Sequence, residues 1–267
     1  MSIRKVNIFA NSDDYSQEVR KLLRRKLQRS GFTVPKEFDP ESELIVSIGG
    51  DGALLGTLHK YDFPDIPILG INTGHLGFFQ EIHPDELDEF VFLYKQSRYN
   101  IQRLKTVKAI VYDEDKQFEY KGLNEIVIKA DSSISVHLNI SIGDSFIERF
   151  SGDGILVCTP AGSTAYNYSL GGSIVDPRLS ILQITPIAPM NTTAYRSFTS
   201  SVVLPENLSV TVHPESREGS GFLIVTDGME FSHSNISKMV FGFSKTEVSF
   251  MRFENYDFWT KVKTKFL

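Results

Sequence analysis

A buried strand that runs directly into a glycine turn is the feature of this sequence that most constrains its fold. Residues 44–48 are an almost purely apolar run, as expected for a parallel strand covered on both faces. The turn Gly49-Gly50-Asp51-Gly52 follows at once, and residues 53–58 then carry leucines at helical spacing. Strand, turn and helix in this order predict an α/β layer, in which ligands bind at the carboxyl ends of the strands.

The same alternation extends over the first hundred residues. Apolar runs at 6–10 and 67–71 predict two further strands, and the patterns at 13–30 and 84–97 predict helices. Gly31 stands where a glycine commonly ends a helix. The predicted inward-facing residues of the two helices are Val19, Leu22, Leu23, Leu27, Leu87, Phe90, Val91 and Tyr94.

Beyond residue 100 short β-type runs replace this pattern. Turns such as Asp113-Glu114-Asp115 and Gly143-Asp144 separate them, and the second is a two-residue hairpin signal. The predicted β runs are 107–112, 118–123, 126–129, 136–142, 146–150, 202–204, 209–213, 222–226 and 239–250. We therefore predict an α/β N-terminal domain with a parallel sheet over residues 1–103 and a mostly-β domain over 104–250.

Composition excludes several classes of protein. With 28 Lys and Arg against 33 Asp and Glu, the net charge of −5 argues against binding to a nucleic-acid backbone. The single cysteine, Cys158, permits no intrachain disulfide, and the six histidines show no metal-site spacing. We expect no signal peptide, and no apolar run is long enough to span a bilayer. We expect a cytoplasmic protein without a membrane partner.

The glycine turn carries the chemistry of the first domain. Glycines let a phosphate approach the main chain, and the helix that follows offers free N–H groups to an anion. Asp51 is unexpected beside a phosphate, and it favours a kinase in which the carboxylate meets an acceptor hydroxyl or a magnesium ion. Two alternatives are an ordinary turn with Asp51 as helix N-cap, and a dinucleotide fingerprint through Gly50, Gly52 and Gly56.

Three further segments have the composition of ligand loops. Residues 72–79, NTGHLGFF, follow a buried strand, and their phenylalanines can line a base pocket or pack in the core. Asn124-Glu125 lies between two β runs and can read a ribose or a base edge. Residues 152–172 join an apolar strand to a turn rich in Gly, Ser and Thr, which suits a polar nucleotide.

Together these segments resemble the NAD kinase family. GGDG at 49–52, NTGHLGFF at 72–79, LNE at 123–125, TPAGSTAYN within 152–172 and Asp227-Gly228 come in the family's order. GGDG alone is shared with lipid kinases and phosphofructokinases, whereas the TPAGSTAYN block is specific. The resemblance implies two domains, with residues 251–267 returning to pack on the first through Phe258, Trp259, Val262 and Phe266.

The resemblance also implies roles for individual residues. Asp51 would hold the 2′-hydroxyl of the adenosine ribose of NAD and act as the catalytic base, and Gly49, Gly50 and Gly52 would bind the donor phosphates. The resemblance implies that Phe79 and Asp227, which lie in the same motifs, also contribute to the site. The predicted NAD-binding residues are Asp51, Gly52, Phe78, Asn124, Glu125, Asp153, Ala161, Thr164, Ala165, Tyr166, Ser169 and Ala188.

The predicted activity is the transfer of a phosphoryl group from ATP, or from another donor, to NAD to give NADP. No metal ligand is assigned, so a magnesium ion is expected to bind through the donor phosphates. A homo-oligomer, a dimer or a tetramer, is implied, in which a neighbouring subunit helps to complete the site. The alternatives are a lipid kinase that shares the GGDG turn and a dinucleotide sensor without catalysis.

Overall fold

The computed structural model describes residues 4–114, 116–192, 196–215 and 221–266. Asp115, part of a predicted turn, lies outside them.

The chain divides into two compact units: unit 1 is Met1–Leu104 with Glu247–Leu267, and unit 2 is Lys105–Thr246. The strands β5 (Asn100–Asp113) and β16 (Ile236–Arg252) contribute residues to both units. The predicted α/β domain and the mostly-β domain after it are confirmed.

Unit 1 is a parallel sheet with helices. Strand β1 pairs with β2, β2 with β3 and β3 with β4, all in parallel, and Phe250 at the end of β16 pairs with Ile68. Its elements are β1 (Val6–Ala10), α1 (Asp14–Arg29), β2 (Leu44–Gly49), α2 (Asp51–Lys60), β3 (Ile68–Asn72), β4 (Gln80–Ile82), α3 (Leu87–Lys95) and α5 (Phe258–Phe266).

One face of this sheet forms a core with α1 and α3, which bury Val19, Leu23, Leu27, Leu87, Phe90, Val91 and Tyr94. Asp13 caps α1 by accepting the amide of Ser16 at 2.8 Å, and Gly31 ends it with a φ of +95°. Leu22 was predicted to face the core but is 43% exposed, because it lies at the border of the apolar stripe.

Two predicted elements of unit 1 differ in detail. The helix expected over 84–97 begins as a 3₁₀ turn, Pro84–Glu86, and its α-helical part ends at Lys95. In α5, Phe258 and Val262 are buried, whereas Trp259 is 48% exposed and does not belong to the packed stripe. The ring of Phe258 lies 5.9 Å from that of Phe78, so the C-terminal helix packs within unit 1.

Unit 2 consists of two layers of mostly antiparallel strands around one core. The elements after β5 are β6 (Lys116–Gly122), β7 (Glu125–Ala130), β8 (Val136–Ile142), β9 (Ser145–Gly152), β10 (Gly154–Cys158), α4 (Tyr166–Ser169), β11 (Ile181–Ile187), β12 (Val202–Pro205), β13 (Val210–Pro214), β14 (Phe222–Thr226) and β15 (Met229–His233). The second layer has the order β12-β11-β10-β7-β14-β15. The predicted Gly143-Asp144 hairpin is confirmed, since Ile142 pairs with Ser145.

The sequence prediction contained neither β11 nor β15. Within the described residues no helix is both long and apolar enough to span a membrane.

Candidate functional site

The glycine turn lies at the carboxyl end of β2, as predicted. Gly49 has a φ of +152°, and a Cβ at this position would lie 2.6 Å from the Cβ of Ala53, so only glycine fits. Gly50 is the N-cap of α2 and Asp51 is the first residue of the helix. The alternative with Asp51 as N-cap is therefore wrong. The first amides of α2 have no acceptor within the helix, and they suit an anion.

Two main-chain amides fix the carboxylate of Asp51. Oδ2 accepts the N–H of Phe78 at 2.8 Å, and Oδ1 accepts that of Phe79 at 3.0 Å. A Cβ at Gly77 would lie 2.3 Å from Oδ1, so the chain can approach the carboxylate only because residue 77 is glycine. The half-buried carboxylate keeps a second lone pair on each oxygen. It is thus held in one orientation and can still accept a proton.

The C-terminal part of unit 1 supports the same peptide segment from its carbonyl side. Lys261 Nζ donates to the carbonyl oxygens of Phe78, at 3.3 Å, and of Gln80. Arg252 Nη1 donates to the carbonyl of Phe79 at 3.2 Å and pairs with buried Glu81 at 3.1 Å. Burial and the charge of Arg252 lower the pKa of Lys261 to about 8. The Phe78–Phe79 peptide, whose amide binds Asp51, is therefore also held at its carbonyl, and the two peptides that follow it are held as well.

Of the two environments predicted for Phe78, a base pocket or the core, its ring occupies the core. It is 5% exposed and contacts the rings of Phe258 and Phe266, with centroid distances of 5.9 and 5.7 Å. Phe79 is buried as well, stacked on Phe250 at 5.3 Å. In this structure both residues contribute their amides to the site, and their rings contribute packing.

A second carboxylate, Asp227, organises the Asn124-Glu125 segment of unit 2. Its oxygens accept the amides of Leu123 at 2.7 Å, Asn124 at 2.8 Å and Glu125 at 3.2 Å. Asp227 itself has a φ of +46° in the turn between β14 and β15. Because three amides occupy its carboxylate, Asp227 acts on the loop, and Asn124 and Glu125 present the side chains.

Those two side chains are buried without their full complement of partners. Asn124 is 7% and Glu125 is 8% exposed, and neither Asn124 Oδ1 nor Glu125 Oε2 has a hydrogen-bond partner among the described residues. Burial, with a smaller effect of the Asp227 charge, raises the pKa of Glu125 to about 8. A buried polar atom that lacks a partner costs free energy, and a bound ligand can recover it.

The small-residue block packs against the same segment. Thr159 donates its hydroxyl to the carbonyl of Leu123 at 2.6 Å, and its amide to that of Asn124 at 2.9 Å. A Cβ at Gly162 would lie 2.2 Å from the carbonyl oxygen of Asn124. Ala161–Thr164 therefore forms a 3₁₀ turn directly on the Asn124 backbone. The structure thus brings together the predicted residues Asn124, Glu125, Ala161 and Thr164.

Exposed side chains follow this turn. Tyr166 is 45% exposed at the start of α4, and Ser169 donates its hydroxyl to the carbonyl of Tyr166 at 2.8 Å. Between them Asn167 is fully buried, donates to the carbonyl of Ser163 and accepts the hydroxyl of Thr185 at 2.6 Å. Asn167 holds the loop, whereas Ala165, Tyr166 and Ser169 remain accessible on it.

Comparison with known proteins identifies the family. The model of the ATP-NAD kinase N-terminal domain matches residues 7–99, and that of the C-terminal domain matches residues 123–252. The NAD kinase of Finegoldia magna is 39% identical over 98% of this chain and 97% of its own length. The chain belongs to the NAD kinase family. NAD kinase 1 of Oceanobacillus iheyensis is 32% identical over 97% of each chain.

Solved structures share the fold. A crystal structure of yeast NADH kinase complexed with NADH superposes with a TM-score of 0.85, at 20% identity, over 99% of this chain and 87% of that one. An NAD kinase from Archaeoglobus fulgidus in complex with ATP gives a TM-score of 0.77 at 24% identity, over 97% and 99%. The predicted family, its kinase activity and its fold class are confirmed.

Two residues that the family resemblance assigns to NAD binding lie elsewhere in unit 2. Asp153 and Ala188 are exposed and adjacent: the amide of Asp153 donates to the carbonyl of Ile187 at 2.9 Å. They lie at the Gly154 end of β10, whereas Glu125 pairs with Cys158 at the other end. The strand takes four residue steps from Gly154 to Cys158, which is roughly 13 Å.

Sequence reasoning missed the residues that position the family motifs. Lys261, Arg252 and Asn167 hold the motif backbones. Asn167 lies within the 152–172 block but was given no role, and Lys261 and Arg252 lie outside the predicted motifs. Part of the signal was present in the sequence, because Arg252 interrupts an apolar stretch, with Phe250 and Met251 before it and Phe253 after it. The main-chain partners of Lys261 and Arg252 could not be predicted, because they lie more than 170 residues away along the chain.

Proposed function

We propose that this member of the NAD kinase family phosphorylates the 2′-hydroxyl of the adenosine ribose of NAD with Asp51 as general base. The observation that carries the proposal is the two-amide arrangement at Asp51, with N···O distances of 2.8 and 3.0 Å. It fixes the carboxylate beside the phosphate-binding turn and leaves lone pairs for a hydroxyl proton.

Phosphoryl transfer needs alignment and charge neutralisation more than a strong nucleophile, because its transition state is loose in most analyses. Asp51 orients the ribose hydroxyl and takes its proton late in the step, as the oxygen–phosphorus bond forms and the bond to the leaving phosphate breaks. The amides of Gly50, Asp51 and Gly52, at the positive end of the α2 dipole, and the close approach that Gly49 allows serve the donor phosphates.

We propose ATP as donor and magnesium as the metal ion. Magnesium is commonly held by one or two carboxylates together with substrate phosphates, and Asp51 is the one carboxylate in the turn. No group of three or more His, Cys, Asp or Glu suited to a metal ion occurs among the described residues. When bound, the ion would neutralise charge on the donor phosphates. Asp51 would either bind the ion directly or contact it through the acceptor hydroxyl that the carboxylate holds.

Asn124 and Glu125 are proposed to bind the nucleoside part of NAD. Their unpartnered buried oxygens support this role, since a ribose hydroxyl or a base edge supplies the missing hydrogen bonds. The remaining proposed contacts are Gly52 and Phe78 in unit 1, and Ala161, Thr164, Ala165, Tyr166 and Ser169 in unit 2.

A homo-oligomer, dimer or tetramer, accounts for the position of Asp153 and Ala188. Both are exposed at the end of β10 opposite Glu125, so we propose that they serve the site of a neighbouring copy. A cytoplasmic location belongs to the same proposal.

The test is NADP formation by the purified protein with NAD, ATP and magnesium, comparing wild type with Asp51→Asn. We expect turnover to fall at least 1,000-fold, within the range for loss of a general base, while NAD binding by calorimetry changes little. Asp65→Asn, an exposed aspartate of the same unit, is the control and should match wild type.

A near-normal rate in Asp51→Asn would remove the catalytic assignment. Clear NAD binding by wild type without NADP from any donor would indicate the sensor instead. Phosphorylation of a lipid in vesicles, without NADP, would indicate the lipid kinase.

A further inference from the structure

We propose that a cavity of unit 1, on the α2 side of the glycine turn, binds the nucleoside part and outer phosphates of the phosphoryl donor. The inference rests on the proposed function and adds a site for the donor, a magnesium-bound nucleoside triphosphate. The cavity is about 720 Å³ in volume, within the usual range for small-molecule sites. Its walls are the end of β1, the segment 36–38 and one face of α2.

The cavity adjoins the glycine turn. A Cβ at Gly49 would lie 2.6 Å from the Cβ of Ala53 and 3.4 Å from that of Asn11, and both of these residues line the cavity. A triphosphate whose base occupies the cavity therefore has its phosphates at the amides of residues 49–52. The Asp51 carboxylate is bound to the amides of Phe78 and Phe79, neither of which lines the cavity.

The charge of the walls suits a polyanion. Arg20, Lys36 and Lys60 line the cavity against one carboxylate, Glu37. None of the three cations has a carboxylate within ion-pair distance in the part of the chain that the structure describes. The whole chain is acidic, so three uncompensated cations around one concavity are a local feature that attracts phosphate.

An aromatic group supplies the surface for a base. Phe38 and Tyr61 stack with ring centroids 4.1 Å apart and an interplanar angle of 18°, and Phe9 lies 4.9 Å from Tyr61. All three line the cavity, and Lys60 lies 5.4 Å from the Tyr61 ring. Aromatic faces bind nucleobases of any sequence by stacking. Cations beside aromatic faces are the recognition elements of a nucleotide.

Gly56 gives a direct way to fill the cavity. It lies on α2, lines the cavity, and has no atom within 4 Å of the position of an added Cβ. Gly56→Ala should therefore be accommodated and favour the helix, whereas Gly56→Phe places a ring in the cavity. Both variants leave the glycine turn and Asp51 unchanged.

The experiment measures KM for ATP and for NAD in wild type, Gly56→Ala and Gly56→Phe, with thermal unfolding as a check of folding. We expect Gly56→Phe to raise KM for ATP at least tenfold while KM for NAD stays within twofold. Gly56→Ala adds only a methyl group and should raise KM for ATP far less than Gly56→Phe. Lys60→Gln should raise KM for ATP severalfold by removing one cation.

Binding of magnesium adenylyl imidodiphosphate, measured by calorimetry, separates the two proposals. Analogue binding that Gly56→Phe weakens supports the cavity even if wild type makes no NADP, in which case only the proposed function fails. NADP formation with an unchanged KM for ATP in both Gly56→Phe and Lys60→Gln overturns the cavity and leaves the proposed function intact. An equal rise of both KM values also overturns it.

Discussion

Asp51 of unit 1 and Glu125 of unit 2 are acidic side chains in opposite situations. Asp51 is half-buried, and each of its oxygens accepts one main-chain amide. Glu125 is 8% exposed, with Oε2 unpartnered among the described residues and its pKa raised to about 8 by burial and, less, by the Asp227 charge.

The difference agrees with the roles that we propose for the two residues, catalysis for Asp51 and recognition for Glu125. A base must be held in one direction with a lone pair available, and amides provide this without adding a competing charge. A recognition group gains from being poorly satisfied before the ligand binds, because the ligand then supplies the missing hydrogen bond. In unit 2 the amide-bound carboxylate is Asp227, which orients the loop, and Glu125 is the residue that we propose for recognition.

Among variants that leave Asp51 itself unchanged, the largest effect is expected from displacing its carboxylate. In Gly77→Ala the new Cβ would lie 2.3 Å from Asp51 Oδ1, so the carboxylate must leave its two amides. We expect kcat to fall roughly 100-fold, as for a catalytic group misplaced by about 1 Å. Gly74→Ala in the same loop meets no atom within 4 Å and is the matched control. Equal rates in the two variants would show that the amide arrangement is not required.

A smaller effect is expected from removing Lys261, which supports the peptide segment whose amides bind Asp51. Lys261→Ala removes the donor to the carbonyls of Phe78 and Gln80. We expect kcat to fall about tenfold, which is a part of the roughly 100-fold loss expected when Asp51 is displaced. Both KM values should stay within twofold, and Lys261→Arg should recover part of the rate.

Lys263→Ala, an exposed lysine on the same helix, serves as control. If Lys261→Ala changes thermal stability but not kcat, Lys261 is a structural residue and does not position Asp51.

The smallest effect concerns the pH dependence of stability at Glu125. Its pKa is about 8 when folded, against an ordinary value of 4.5, so the folded chain binds this proton more tightly than the unfolded chain. The resulting stabilisation is complete below pH 4.5 and is lost as pH rises through 8. Glu125→Gln should therefore flatten the fall in free energy of unfolding between pH 5 and pH 8.

Urea denaturation at pH 5, 6.5 and 8 measures this slope. Exposed Glu119→Gln should keep the slope of wild type. Parallel curves for wild type and Glu125→Gln would mean that the folded and unfolded chains hold the Glu125 proton equally well.

Local pattern was enough to predict much of the fold. The run at 44–48, the helix ended by Gly31 and the Gly143-Asp144 hairpin are each determined by neighbouring residues, and each occurs as predicted. Strand β11 was missed because Gln183, Thr185 and Pro186 interrupt its apolar pattern. Pro186 nevertheless pairs with Ile155, and Gln183 and Thr185 are buried on loop partners.

The site was predictable as a set of motifs but not as an arrangement. Asp227 was grouped with the ligand residues, whereas its carboxylate binds amides more than 100 residues earlier in the chain. Periodicity and composition report on neighbours in sequence, and they carry no information on which distant backbone a carboxylate or a lysine will meet.

The late position of Lys261 has a consequence for synthesis of the chain. Lys261 follows Phe78 by 183 residues, so at roughly 5–20 residues per second the ribosome adds it about 10 to 40 s after the segment it supports. Until then the carbonyl of the Phe78–Phe79 peptide, whose amide binds Asp51, lacks this donor. A nascent or prematurely terminated chain would therefore carry the glycine turn and Asp51 without the lysine that supports the adjoining segment.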